Sequence, residues 1–428
     1  MPMNWPHFCI PKAELLAATL LLVLSGCQPR QSANHGRANV QEGQNAVLYV
    51  YVGVEDESYD LNGYRRNFNQ TFKAIEQLFR QVNPHTHFVV QLYRESSLLK
   101  ELSQRNASGL GPDLLLITNH TALKLAQAGL TRSPHLTPEL RRVIDPATLR
   151  RASLHNQNRL AGLPVAQKAQ LACFNRTRLR RVPTTVQELL AISASGDSVG
   201  LEVFPPGIFW SAGALGATDA LQQALARRPL NAEQQRALVR WVSWLQDANI
   251  QQKVTFYNNQ NGLLEGLSSG SLDWISCHST DLLRLQQKLG SKLGVAPLPD
   301  GPDGQASPIS ELTVLALGVN SSPGQRKAAE AFAHFVLNPL VQRSITVSLK
   351  EVLPVNRFVN VPAESSMVLQ AMLRAQQQSS QSETIVSLIR LNDQRMLKAQ
   401  GLITRLVFGE STPEATAQDL IRTLQTQP

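Results

Sequence analysis

Two kinds of side chain capable of selective recognition stand out in this 428-residue chain: carboxylates clustered at Glu55, Asp56 and Glu57, and indole rings at Trp210 and Trp274. Neighbouring carboxylates accept hydrogen bonds from several hydroxyls at once, or pair with a cation. An indole plate with polar neighbours fits the apolar C–H face of a pyranose ring. Each group lies in or directly after a short apolar run that reads as a strand: residues 47–54 before the carboxylates, 199–204 before Pro205-Pro206-Gly207-Ile208-Phe209-Trp210, and 273–277 around Trp274. In open α/β sheets, ligands bind beyond the carboxyl ends of strands. That rule adds Asn119 and His120 after residues 114–118, His278 and Ser279 after residues 274–277, and Phe209 beside Trp210. Structural duties compete for the same residues. Glu55 to Glu57 also read as an acidic surface loop, and Asn119 as a helix cap before Thr121. Trp241 and Trp244, spaced with Leu238, Val242 and Leu245 on one helical stripe, read as core.

Covalent chemistry finds less support. The chain has no His-Glu-x-x-His zinc motif and no Gly-x-x-x-x-Gly-Lys phosphate loop. His85-Thr86-His87 follows the turn signal Asn83-Pro84 and lacks a third ligand nearby, so no metal is expected there. Residues 300–311 have the length of a calcium loop, but Pro302, Gly304 and Gln305 stand where ligands and the turning glycine belong. No cofactor is expected. Paired carboxylates suited to glycoside hydrolysis keep one alternative open, because only the fold sets their separation.

The formal net charge is +9. The arginines occur as scattered pairs, such as Arg65-Arg66, Arg180-Arg181 and Arg227-Arg228, without interleaved aromatics. That pattern suits a solvated surface near anionic headgroups rather than nucleic acid.

At the N-terminus, Lys12 precedes a short apolar stretch that ends in Leu24-Ser25-Gly26-Cys27. The stretch is too short to span a bilayer, which takes about 20 residues. Its basic, apolar and small-residue zones are those of a secretory signal. Leu24 to Cys27 resembles the lipobox of bacterial lipoproteins, in which cleavage before the cysteine leaves its sulfur carrying lipid. The resemblance implies a signal peptide over residues 1–26 and acylation at Cys27, with palmitate-like chains holding the protein on a membrane. Residues 27–45 are polar and read as a flexible tether. Export leaves Cys173 and Cys277 as the cysteines of the folded body, either bridged or as buried thiols.

Behind the tether, strand and helix signals alternate. A strand over 47–54 precedes a helix whose apolar positions run from Phe68 to Val82, and a strand follows over 88–93. A helix over 98–105, a strand over 114–118 and a helix over 121–128 closed by Gly129 continue the pattern, which is that of an α/β fold. Residues 166–175 alternate polar and apolar, Thr184 or Thr185 can cap the next helix, and a strand over 312–319 precedes a helix over 324–337.

Gly111-Pro112-Asp113, Ala126-Gln127-Ala128-Gly129-Leu130, Gly162-Leu163-Pro164, Phe174-Asn175 with Pro183-Thr184-Thr185, Ala296-Pro297-Leu298-Pro299 and Leu353-Pro354-Val355-Asn356 occur in that order over nearly the whole mature chain. Together they resemble the extracellular solute-binding proteins of bacterial ABC importers, the group that includes maltose-binding and other sugar-binding proteins. The resemblance implies a type II periplasmic-binding-protein fold, with two α/β lobes and a ligand cleft between them. The first lobe would take residues 46–165 plus 312–351, and the second 170–309 plus 356–428. The chain would cross between lobes near Gln167, Ser310 and Pro354. The implied protein is no enzyme. It is a monomeric receptor on the periplasmic side of a cell membrane that captures a sugar or sugar-like compatible solute and delivers it to permease subunits. Where the family often has paired glycines this chain has Ile309-Ser310-Glu311, which makes Glu311 a further candidate for a ligand ammonium or hydroxyl cluster. A carbohydrate-active lipoprotein enzyme and a ligand-sensing component are the alternatives.

Overall fold

The computed structural model describes residues 46–54, 61–154, 159–380, 382–389 and 393–427. Cys27, the signal and tether, and Glu55 and Asp56 lie outside the described residues. The strands are β1 (Ala46–Val54), β2 (Thr86–Arg94), β3 (Leu114–Thr118), β4 (Thr131–Arg132), β5 (Leu163–Lys168), β6 (Gln170–Asn175), β7 (Val199–Glu202), β8 (Val254–Tyr257), β9 (Trp274–His278), β10 (Leu293–Ala296) and β11 (Glu311–Gly318).

They form two sheets. In the first the order is β2-β1-β3-β11-β4, with β5 also paired to β11. β1 runs parallel to β2 along its whole length, from Ala46 opposite Thr86 to Val54 opposite Arg94, and parallel to β3, whereas β11 is antiparallel. The near-continuous apolar run of β1 suits a parallel strand covered on both faces. Helix Leu61–Val82 and helix Pro323–Val336 supply part of the cover. Phe79, fully buried, packs against Phe88, Phe332 and Phe335 with ring centroids 5.2–5.9 Å apart.

The second sheet has the order β10-β6-β9-β7-β8, with β7, β8 and β9 mutually parallel and β6 and β10 antiparallel to their neighbours. Both faces are covered. One carries Ala172, Phe174, Val199, Leu201 and Trp274 against the tryptophans of helix Ala232–Ile250 and the C-terminal helices. The other carries Leu171, Cys173, Ile275 and Cys277 against helix Gln260–Ser269 and helix Met367–Ser379. Cys173 and Cys277 are joined in a disulfide across β6 and β9, which closes the alternative of free thiols. Trp241 and Trp244 lie in the core, where their helical stripe placed them.

Helix starts follow local chemistry. Thr185 accepts from the Glu188 amide, and Asn231 with Gln234 and Ser322 with Gln325 form capping boxes. The next helix beyond β3 begins at Asn119 and is capped by Thr118, whose hydroxyl accepts from the Thr121 amide. Asn119 is therefore the first helical residue, one position after Thr118, and not the cap that the sequence suggested.

The alternating stretch 166–175 divides at Ala169 into β5 and β6, which belong to different sheets. Beyond β6 and β11 the chain builds separate cores. The first core gathers apolar residues from Leu48 to Val165 and from Leu312 to Val355. The others gather residues from Ala169 to Ala306 and from Leu353 to Leu424. Among the described residues, no helix is long and apolar enough to cross a membrane.

Candidate functional site

The segments that pass between the sheets meet at Gln167. Its backbone exchanges hydrogen bonds with Leu353, at 2.9 and 2.8 Å. Its side-chain amide donates to the Ser310 hydroxyl at 2.5 Å, and its carbonyl oxygen accepts from Gln376 at 2.9 Å. Gln170 plays a matching part on the other side: its amide donates to the Gly207 carbonyl at 2.8 Å and its oxygen accepts from the Ile309 amide at 3.1 Å. Gln342 ties the third crossing, donating to the Val165 carbonyl and accepting from the amides of Val355 and Asn356. Three buried glutamines thus knot the three crossings, each side chain using both its donor and its acceptor. A few residues at element ends are where a rigid-body closure of two lobes can be absorbed.

On the first-lobe side, Glu95 follows β2 and accepts from the Thr118 amide at 2.8 Å, from the Thr118 hydroxyl at 2.6 Å and from the Thr121 hydroxyl. This locks the carboxyl ends of β2 and β3 together. Asn119, half-buried, donates to the Arg151 carbonyl at 2.9 Å, and the Arg151 guanidinium reaches the Ser310 carbonyl. His120 is half-buried beside it. Tyr51 lies against Tyr93, with centroids 4.5 Å apart, and burial together with the bond to Tyr93 pushes its hydroxyl up to about 12.

On the second-lobe side, the sequence candidates separate. His278 is half-buried at the end of β9. Glu311, which opens β11 of the first sheet and so lies across the crossing from them, pairs with Lys168 at 3.4 Å. Phe209, Trp210 and Trp274 are no more than 1 % exposed and belong to the core. Trp210 packs on Trp244 and Trp274, with centroids 6.3 and 6.1 Å away. The expectation that Trp210 and Trp274 present aromatic plates to a ligand is therefore corrected for this conformation. The short helix Pro205–Ile208 turns the chain after β7 and folds the indole of Trp210 under the sheet, and the pleat of β9 sends Trp274 to the same side.

In their place the structure brings forward carboxylates that sequence reasoning passed over. Glu202 ends β7 and is 5 % exposed. Asp281 follows β9, accepting from the His278 amide at 2.8 Å and from the Gln260 side chain at 3.3 Å. Glu351 stands just before the third crossing, and its carbonyl accepts from the Ser279 hydroxyl at 2.5 Å, while that hydroxyl accepts from the Ala169 amide. Burial first, and the charge of Asp281 second, push both Glu202 and Glu351 from an ordinary 4.5 up to about 8; Lys168 partly offsets this at Glu351. The signal for Glu202 was present, as a charged residue inside the apolar run 199–204 at a strand's carboxyl end.

Two grooves lie elsewhere, one of about 490 Å³ between β10 and helix Met367–Ser379, the other of about 420 Å³ beside Phe79 and Leu140. Gly266-Leu267-Ser268-Ser269-Gly270 spells a nucleophile elbow in letters, but it ends helix Gln260–Ser269, with Gly270 as a left-handed cap. An elbow requires a strand-to-helix turn. Among the described residues, no cluster of His, Cys, Asp and Glu could hold a metal ion.

Two sheets, three crossings and parallel strand ends converging on them find a counterpart in a family model described as bacterial extracellular solute-binding protein, which matches residues 78–367. The chain belongs to that family. The fold of this solute-binding protein is the two-lobe periplasmic-binding-protein fold, shared with solved structures at low identity. It is similar to the maltodextrin-binding protein MalE1 of L. casei BL23, with 17% identity over 90% of this chain and 100% of that one at a TM-score of 0.65. It is also similar to the GacH receptor of Streptomyces glaucescens GLA.O, a structure in complex with acarbose, with 14% identity over 88% and 97% of the two chains at 0.64. A third is an ABC transporter solute-binding protein of Thermotoga lettingae bound to α-D-tagatose, with 14% identity over 89% and 100% at 0.60. No curated protein sequence matches this solute-binding protein.

Proposed function

We propose that this solute-binding protein is the receptor of an ABC importer, held on the outer face of a cell membrane by lipid on Cys27. It captures a small polar solute, a sugar or sugar-like compatible solute, and presents it to permease subunits. The observation that carries this reading is the knot at Gln167, where three crossings hold two α/β lobes whose parallel strand ends face the same region. Ligand favours closure only by its differential affinity for the closed state. His120, Asn119, His278 and Glu311 supply polar groups at that region. The solute-binding family and the maltodextrin, acarbose and tagatose named for similar structures support a sugar-like ligand.

Thermal unfolding of the full-length protein in detergent, against a panel of sugars and glycosylated osmolytes, tests the reading. A solute at 100 times its dissociation constant should stabilise the protein by about 2.7 kcal/mol. The four tryptophans at 210, 241, 244 and 274 are core residues, so fluorescence would report closure only indirectly. Recovery of unchanged solute would separate a receptor from a carbohydrate-active enzyme. Absence of any stabilisation across the panel would overturn the proposed ligand class.

A further inference from the structure

One flank of the first lobe is apolar where a folded surface is ordinarily polar. The groove of about 420 Å³ there is walled by Phe79, Leu140, Val143, Phe335 and Leu337, brought together from helix Leu61–Val82, helix Pro138–Val143 and the end of helix Pro323–Val336. Contacts between the walls hold it in shape. Phe79 and Phe335 meet with ring centroids 5.2 Å apart, Asn356 donates to the Leu337 carbonyl at 2.8 Å, and the Arg357 amide donates to the Val143 carbonyl at 2.9 Å. Large apolar side chains stand in water beside the lining residues: Val82 is 65 % exposed, Leu340 77 % and Phe358 59 %. Val82 precedes Asn83 and Leu340 follows Pro339, both of which line the groove. One exposed apolar side chain is ordinary, but several around an apolar groove mark a surface that meets a partner.

Charge and chain connection say which partner. Arg80, Arg141, Arg343 and Arg357 are exposed around the groove and make no ion pair among the described residues. The Arg357 guanidinium lies 5.0 Å from the centre of the Phe358 ring, so a cation and an apolar ring are presented together. Glu139 is the one carboxylate among the lining residues, with Arg142 one turn along the same helix, and Glu76 nearby is half-buried. The flank is therefore basic as well as apolar, which complements an anionic lipid surface. The chain also enters the body here. The Ala46 amide donates to the His85 carbonyl at 2.9 Å and the Thr86 amide to the Asn83 carbonyl at 3.2 Å, so Ala46 sits on the turn that borders the groove. Residues 28–45 join it to Cys27 and span at most about 60 Å, at about 3.3–3.6 Å each when fully extended. Lipid on Cys27 keeps this flank within reach of the bilayer.

We propose that this flank of the first lobe rests on an anionic bilayer, with Val82, Leu340 and Phe358 entering the headgroup layer and Arg80, Arg343 and Arg357 meeting lipid phosphates. The inference rests on the reading of the protein as lipid-anchored and adds a second point of attachment. Apolar area and basic charge add to the hold of the acyl chains and, unlike chains on a tether, set which face the protein turns to the membrane.

Hydrogen–deuterium exchange of the full-length protein tests this, in vesicles of phosphatidylcholine alone, in vesicles that also contain phosphatidylglycerol, and in detergent. Flotation reports whether the protein is vesicle-bound, and mass spectrometry whether Cys27 carries lipid. The expected result is that amides in residues 82–86, 338–341 and 357–359 exchange at least about threefold more slowly on anionic vesicles than on neutral ones or in detergent. Leu340→Asp and, separately, Arg343→Glu with Arg357→Glu should each abolish that difference. These side chains are exposed, and far-ultraviolet circular dichroism would report that both variants are folded. Equal exchange on the two kinds of vesicle by a floating protein, or slowing that persists in both folded variants, would overturn the inference and leave the lipid anchor standing. Slowing that also appears in detergent and grows with protein concentration would mean that a second copy covers the groove, and would overturn it too. A protein that does not float and whose Cys27 is unmodified would count against the anchor and the inference alike.

Discussion

At the scale of single residues, Glu202 and Glu351 set an unusual dependence of stability on pH. Each binds its proton more tightly folded than unfolded, with a folded value of about 8 against an ordinary 4.5. Between those two values the native state holds more protons than the unfolded state, so stability falls as pH rises through that window and the loss is complete above it. Glu202→Gln should flatten the decline and raise the melting temperature at pH 9 relative to the parent, as differential scanning calorimetry across pH 5 to 9 would show. An unchanged slope would mean that Glu202 is not protonated in the fold. Trp210 is a different case. Its indole is fully buried, so Trp210→Ala should cost about 3–5 kcal/mol in urea unfolding, the range for removing a large buried aromatic.

At the scale of elements, the bond between Cys173 and Cys277 fastens β6 to β9 across a sequence separation of 104 residues. Closing so long a loop constrains the unfolded chain, and its loss in a Cys173→Ala, Cys277→Ala variant should cost on the order of 2–5 kcal/mol. The displacement of the urea midpoint relative to the parent would measure it. The other covers of the second sheet are polar where helices meet. Arg395, 2 % exposed, pairs with Asp393 and donates to the carbonyls of Leu225, Leu388 and Leu424, joining helix ends that are far apart in sequence. Helix caps were readable locally because a cap needs only a side-chain oxygen two or three residues ahead of the amides it serves. Thr185 shows this, and so does the one-residue error at Asn119, where two adjacent residues could each have served.

At the scale of the whole molecule, Gln167 is the residue through which the three crossings communicate. Gln167→Leu would leave Ser310 and Gln376 without that partner and should cost about 1–3 kcal/mol. With the knot loosened, small-angle scattering without solute should give a larger radius of gyration than the parent, whereas an unchanged radius would mean that the crossings are held by backbone pairing alone. The α/β class was legible in the alternation of strands and helices, and the two-lobe fold in the family that the ordered motifs from Gly111 to Asn356 resemble. The division of residues 166–175 into two strands was not, because the partners that split it, β11 and β9, lie 100 residues or more away in sequence.

By itself the sequence determined the alternating α/β character, the position of most strands and of some helices, the core stripe at Trp241 and Trp244, and the family to which the chain belongs. Those depend on periodicity, capping and short motifs, all of which act over a few residues. Tertiary structure alone decided that Trp210 and Trp274 pack into the core, that Cys173 meets Cys277, and that Glu202 is buried at the end of β7. A side chain's face is set by the register of its strand and the turn that follows, and the company it keeps is set by pairings between distant segments.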